Sequence, residues 1–208
     1  MAFPTIDELI AQGMGRAVTV GAFSTGIVGG GAGTVLDLDQ PELVIGVPSG
    51  YVIRPIYISC QVQPALAVTD SDENEILFAV DSLGLWSGAG TSTAEQPSNL
   101  RTDLDKGSAC RVGSAFSADM TTTPKFGAAA DPVLDMELDR LTDHVDIQGT
   151  AATIWHAQLR LLYMPNFPPF LVGPCSLLVY FGGTAATIGG FVQASWVEGK
   201  VSDMLAAV

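Results

Sequence analysis

Ser176–Glu198 reads SLLVYFGGTAATIGGFVQASWVE, and the fold class turns on how this stretch is paired. Two apolar runs, Ser176–Phe181 and Gly190–Glu198, flank a small-residue loop with paired glycines at either end, Gly182-Gly183 and Gly189-Gly190. Runs of β-branched and aromatic residues bounded by glycine clusters predict a β-hairpin. The expected hairpin closes a sheet, with Val192, Ala194 and Trp196 on the core face and Gln193 and Ser195 turned outward. No catalytic signature lies in it.

Upstream, the turn Val47-Pro48-Ser49-Gly50 combines a proline that presets φ with a glycine that tolerates positive φ. It launches Tyr51–Val62, YVIRPIYISCQV, where Val52, Ile56, Ile58, Cys60 and Val62 are expected on one face and Tyr51, Tyr57, Ser59 and Gln61 on the other. Pro55 denies one ladder donor, so an edge strand or a bulge is expected there. Further strands are expected at Ala17–Phe23, Asn74–Leu83, Cys110–Phe116 and Pro132–Leu141, and in TIWHAQLRLLYM at 153–164. One or two short ones are expected around Pro41. Ahead of them, residues 3–16 predict a short amphipathic helix. Thr5 is its N-cap, Asp7 and Glu8 occupy its first turn, and Ile6, Leu9, Ile10 and Met14 share a face.

Many short strands, Gly/Pro turns, one weak helix and no βαβ alternation predict an all-β antiparallel β-sandwich. Among sandwiches the jelly-roll type suits a chain of 208 residues with loops of such unequal length. Residues 1–16 form an N-terminal helix or arm and 17–208 a single domain.

Hydrophobic residues make up 48% of the chain and charged ones only 15%, with a mean hydropathy of +0.35. A monomer would need more charge to cover its surface, so neighbouring subunits are expected to cover much of it. The net charge is −13, with 9 Lys and Arg scattered singly. That opposes direct nucleic-acid binding by a basic arm, because phosphate contacts depend on clustered cations. No apolar run reaches the roughly 18 residues of a membrane span, and Asp7 and Glu8 stand where a secretion signal carries positive charge. Cys60, Cys110 and Cys175 are too far apart for a metal or redox motif, and Cys60 and Cys175, inside or beside apolar runs, suit buried thiols made in a reducing cytoplasm.

Catalytic motifs are lacking: there is no GxSxG, HExxH or P-loop, and the glycine-rich GIVGGGAG at 26–33 has neither nucleotide-binding spacing. His144 and His156 lack a partner at ligand spacing. A carboxylate pair for glycoside cleavage could be assembled in space, but no residue pattern selects one. No cofactor is expected, and no enzyme activity. The acidic run Thr69–Glu75 lacks the glycine and distal glutamate of an EF-hand. Asp135, Glu137 and Asp139 line one face of a strand and repel one another unless a cation or a basic partner sits opposite. They are therefore the candidate cation site. The candidate interface residues are Ile6, Leu9, Ile10 and Met14 of the helix, and Gly182, Gly183, Thr184, Thr187 and Gly189 of the glycine-flanked loop.

Three segments, VPSGYVIRPIYISCQV at 47–62, DIQGTAATIWHAQLRLLYMP at 146–165 and PPFLVGPCSLLVYFGGTAATIGGFVQASWVE at 168–198, resemble capsid-type structural proteins of uncultivated, metagenome-derived bacteriophages. The likeness covers about half the chain. It implies a jelly-roll virion subunit, a capsid or capsid-decorating protein made in the host cytoplasm, with homo-oligomeric and other virion partners and no catalytic residues. The basic arm of many small RNA-virus subunits is missing, which points to a double-stranded DNA phage shell or an outer decoration protein. The alternative is a non-catalytic ligand-binding β-sandwich module, for carbohydrate or a receptor.

Overall fold

A computed structural model describes residues 4–21, 27–28, 36–63, 72–84, 86, 92–116, 120, 136–145, 159–183 and 189–205. The chain begins with α1 (Ile6–Ala11). Thr5 Oγ1 accepts from the Glu8 N–H at 3.2 Å, and the Thr5 N–H donates to Glu8 Oε2 at 2.7 Å, a reciprocal capping box. Gly13, at φ 76°, turns the chain out of the helix.

The strands follow as β1 (Gly15–Val20), β2 (Ile27–Val28), β3 (Leu43–Val47), β4 (Tyr51–Gln63) and β5 (Asp72–Asp81). Next come β6 (Thr93–Glu95), β7 (Ser98–Asn99), β8 (Arg111–Ser114), β9 (Met136–Val145) and β10 (Leu159–Tyr163). The chain closes with β11 (Leu171–Val172), β12 (Cys175–Gly183), β13 (Gly189–Lys200) and α2 (Val201–Met204). Between β3 and β4 the expected turn is present, with Gly50 at φ 81° and the Tyr51 N–H on Pro48 O at 3.1 Å.

Four antiparallel pairs are nested one inside the next. Gly15 of β1 lies opposite Val197 of β13, Val47 of β3 opposite Cys175 of β12, Val62 of β4 opposite Leu159 of β10, and Ile76 of β5 opposite Leu141 of β9. These eight strands make one long two-armed ribbon that runs out to β5 and back from β9. The ribbon then rolls: Ile58 of β4 also pairs with Ala194 of β13, and Phe78 of β5 with Val179 of β12. Among the described residues the result is a seven-stranded sheet, ordered β10-β4-β13-β1-β7 with β11 beside β4 and β2 beside β13. The second sheet is six-stranded, ordered β6-β8-β3-β12-β5-β9.

This is an all-β sandwich of two antiparallel sheets. Ile58, Cys60, Val192, Ala194 and Trp196 of one sheet and Ile45, Phe78, Val179 and Phe181 of the other share a single buried cluster. As expected, Val192, Ala194 and Trp196 are buried, Gln193 is exposed and Ser195 half-buried. The expected hairpin, however, does not form. β12 lies between β3 and β5 in one sheet and β13 between β4 and β1 in the other, so the link between them changes sheets. Glycine pairs serve close approach as well as tight turns. A Cβ at Gly190 would stand 2.8 Å from Phe181 Cζ and 2.9 Å from Val62 Cγ1.

β12 reads as an unbroken apolar run because both of its faces are covered. Leu177, Val179 and Phe181 enter the main core. Leu178 and Tyr180 instead meet a second cluster on the outer side, with Val44, Leu77, Trp86 and Met120. In β4 the expected alternation fails at Pro55. Opposite β13 the register steps from Tyr57 at Ser195 to Pro55 at Trp196, leaving Ile56 as the extra residue of a bulge. Ile53, Ile58, Cys60 and Val62 therefore face the core, Val52 faces out under the helices, and Ile56 is half-buried. On its other side β4 meets β10 down to Ile58 and β11 up to Ile53, so Pro55 falls in the gap, where its missing N–H costs no ladder bond.

A second bulge corrects the reading of β9. Phe78 faces Asp139 and Ala79 faces Glu137, which leaves Leu138 as the inserted residue. Leu138 and Leu141 pack on the core, whereas Met136, on the face opposite the expected acidic one, is 37% exposed.

Candidate functional site

The sequence-predicted interface residues fall in two places. In α1 Leu9 is buried and Ile6 and Ile10 are half-buried, as is Met14 just after the helix, all packed with Val52, Val197, Val201 and Met204 on the outer face of the seven-stranded sheet. Gly182 is buried within β12, Gly183 ends that strand, and Gly189 is half-buried at the head of β13. Thr184 and Thr187 lie outside the described residues. The helix therefore sits at one end of β13 and the glycines at the other, and the two groups form no common surface.

The bulge divides the expected acidic face: Glu137 lies opposite Ala79 on the outer side of the sheet and Asp139 opposite Phe78 on the core side, and Glu137 has a basic partner from its own strand. Arg140 donates to Glu137 Oε2 from Nη2 at 2.9 Å and from Nε at 3.1 Å, and its Nη1 pairs with Glu75 on β5. Asp139 Oδ1 accepts the Arg140 backbone N–H at 3.0 Å. These carboxylates hold the Arg140 guanidinium above its ordinary pKa, the Glu137 hydrogen bond contributing most. Asp135 lies outside the described residues. Among the described residues no group of three His, Cys, Asp or Glu side chains could hold a metal ion.

A surface that hydrophobic patterning alone did not flag lies on β10 and the segment running to β11. Leu159 and Leu161 point into the core, so Leu162 points out and is 43% exposed. Beyond it Met164, Phe167, Phe170 and Val172 are also exposed, Phe167 at 91%. The segment is nonetheless held in place. Arg54 of β4 reaches Pro168 O from Nε and Nη2 at 3.4 Å, and its guanidinium lies 4.5 Å from the Phe170 ring centroid. Partial burial lowers the Arg54 pKa. Gly173 N–H donates to Tyr51 O at 2.9 Å. Exposed apolar groups along a pinned segment are the kind of feature that marks interaction surfaces. Its sequence signal, NFPPF at 166–170, reads as a strand breaker, and only burial distinguishes a contact ridge from an ordinary loop.

Models of known families, curated proteins and solved structures give no match to this chain.

Several buried reactive groups are engaged in the fold. Glu42 Oε2 accepts the Phe181 N–H at 2.8 Å, and Asp81 Oδ1 accepts the Leu83 N–H at 2.9 Å. Glu198 accepts from Ser108 Oγ at 2.6 Å, Ala109 N–H at 2.9 Å and Trp196 Nε1 at 3.0 Å. Cys60, Cys110 and Cys175 are free and buried. Burial pushes all three thiols up, Cys175 to about 12, away from the thiolate a nucleophile needs. No helix among the described residues is long and apolar enough to cross a membrane.

Proposed function

We propose that the chain is a non-catalytic virion structural protein, a capsid or capsid-decorating subunit, whose jelly-roll domain works by repeated self-association. The observation that carries this reading is the nested wiring. Eight strands paired β1 with β13, β3 with β12, β4 with β10 and β5 with β9, then rolled into two sheets, match the ribbon of a jelly roll. Double-sheet jelly rolls recur in viral shells, lectins and cupins.

The exposed ridge favours assembly among these uses. Leu162, Met164, Phe167, Phe170 and Val172 offer exposed apolar groups along a braced segment, and fully burying one large apolar side chain contributes about 1.5–3 kcal/mol. Repeated symmetrically, such contacts sum to a standard interface. Three buried free thiols suit synthesis in the host cytoplasm. A net charge of −13 suits a subunit that leaves genome contact to another component.

Negative-stain electron microscopy of the purified full chain, with light scattering, tests the proposal. Shells, arrays or symmetric rings are the expected result. A species that stays monomeric at high concentration across salt and pH would overturn it.

A further inference from the structure

We propose that a cavity at the β6–β8 edge of the six-stranded sheet binds a neutral polyhydroxylated ligand the size of one sugar residue. The cavity measures about 270 Å³, just below the roughly 300–1,000 Å³ of pockets that take drug-sized molecules, and so suits a single ring. It is separate from the ridge on the seven-stranded sheet, and the inference does not depend on the assembly reading.

Trp86 forms its deep wall and is 8% exposed. The indole lies flat against the sheet because two facing strands carry glycine beneath it. A Cβ at Gly46 on β3 would stand 3.0 Å from Cε3, and one at Gly113 on β8 would stand 2.6 Å from Cζ2. Cζ2 lies next to the ring carbon that carries Nε1, so the N–H edge is at the Gly113 end. Ala94 of β6 is the cross-strand partner of Gly113, and Ala94 and Ser92 line the cavity there, with Glu95, opposite Val112, on the adjoining wall. Nε1 is buried without a hydrogen-bond partner among the described residues. A buried donor left unmade costs about 1–3 kcal/mol, and an acceptor on a ligand would recover it.

The rest of the wall indicates what carries that acceptor. Glu95, whose Oε1 accepts the Ser114 hydroxyl, offers a pure acceptor, and Arg111 a pure donor group. Groups of both charge signs line the wall, so an ion of either sign meets a like charge there. Gln96 both donates and accepts, and Pro97 and Val112 supply apolar contact. Hydroxyl groups, which donate and accept at once on a carbon ring, match this set.

Saturation-transfer difference NMR on the full chain, which tolerates large assemblies, with a panel of methyl glycosides tests the site. Transfer to at least one glycoside is expected, with Trp86→Phe, which keeps an aromatic ring but removes the N–H, weakening it roughly 2- to 10-fold. Glu95→Gln, which keeps shape, is expected to weaken it by a similar factor and decides the matter if the Trp86 variant loses its near-UV circular dichroism. Absence of transfer from every glycoside, undiminished binding in a folded variant, or preferential binding of free amino acids or inorganic phosphate would overturn the proposal.

Discussion

Arg16 and Glu198 meet inside the protein, Nε to Oε1 at 3.2 Å, with both residues almost wholly buried. They sit at the end of the β1–β13 ladder, on either side of its last register pair, Gly15–Val197. Each has further partners. Arg16 Nη1 donates to Gly13 O and Gly15 O at 2.8 and 2.9 Å, and Nη2 to Gly107 O at 2.9 Å. Glu198 gathers Ser108, Ala109 and Trp196. The pair thus ties the first and last strands to loop residues 107–109. Removing one partner of a buried pair leaves an uncompensated charge. Glu198→Ala is expected to cost about 3–5 kcal/mol in urea unfolding, and Glu198→Gln, which keeps an acceptor for Trp196, about 1–3 kcal/mol. A loss below about 1 kcal/mol for the alanine variant would contradict this role.

Phe167→Asp separates assembly from folding. Phe167 is 91% exposed, so the folded subunit loses almost no packing and its stability is expected to stay within about 0.5 kcal/mol of the parent. In a contact between subunits the same change buries a carboxylate against apolar groups. Light scattering is expected to show smaller species at equal concentration. Unchanged assembly would place the contact surface elsewhere.

The sequence shows strand existence well and strand partnership poorly. Period-two patterning locates β4 and β13, and chain chemistry locates the Thr5 cap and the Gly50 turn, because each depends on neighbouring residues. What decides that β12 and β13 belong to different sheets is nonlocal: Gly190 lies against Phe181 and Val62, which are far away along the chain or across the core. The two bulges are legible to different degrees. Pro55 announces an edge or a bulge and a bulge is what forms, but one extra residue inverts every face beyond it, and nothing in Leu138 marks the second. The Arg16–Glu198 pair and the Trp86 cavity escape notice because their members are single residues far apart in sequence.

Gly190→Ala tests the crossing at the head of β13. The added methyl meets Phe181 Cζ at 2.8 Å and Val62 Cγ1 at 2.9 Å, both in the main core. Overpacking of this kind costs about 1–3 kcal/mol. A lower denaturation midpoint with an unchanged urea m-value is expected. Phe181→Leu in the same chain should recover part of the loss, because it removes the ring that the methyl strikes.

The thiols impose a pH dependence. Folding raises the pKa of Cys175 from 9.0 to about 12 and raises those of Cys60 and Cys110, in each case chiefly through burial. Above pH about 9 the unfolded chain therefore releases thiol protons that the folded chain retains. The unfolded state then binds fewer protons and stability falls as pH rises. Below that range the contribution is fully present. Tyr163 and Tyr180, raised by burial and nearby carboxylates, act in the same direction at higher pH. Urea midpoints are expected to decline from about pH 8 to pH 10, and a thiol reagent at pH 8 should modify none of the three until denaturant is added. Rapid labelling of the native protein would contradict the burial of these groups.

Arg140 decides whether Glu137 and Glu75, the carboxylates on the outer face of β9 and β5, need an ion. Its guanidinium bridges Glu137 and Glu75, so the repulsion between neighbouring carboxylates is already relieved within the chain. Chelator is accordingly expected to leave the melting temperature of the parent protein unchanged. Arg140→Ala leaves the poorly exposed Glu75 without this cation. Because Arg140 is itself partly solvated, the cost is expected to be modest, about 1 kcal/mol. The same variant gathers uncompensated oxygen ligands, and added Ca²⁺ should raise its melting temperature while leaving the parent alone. A parent protein that chelator destabilises would show that the arginine is not the only cation this face requires.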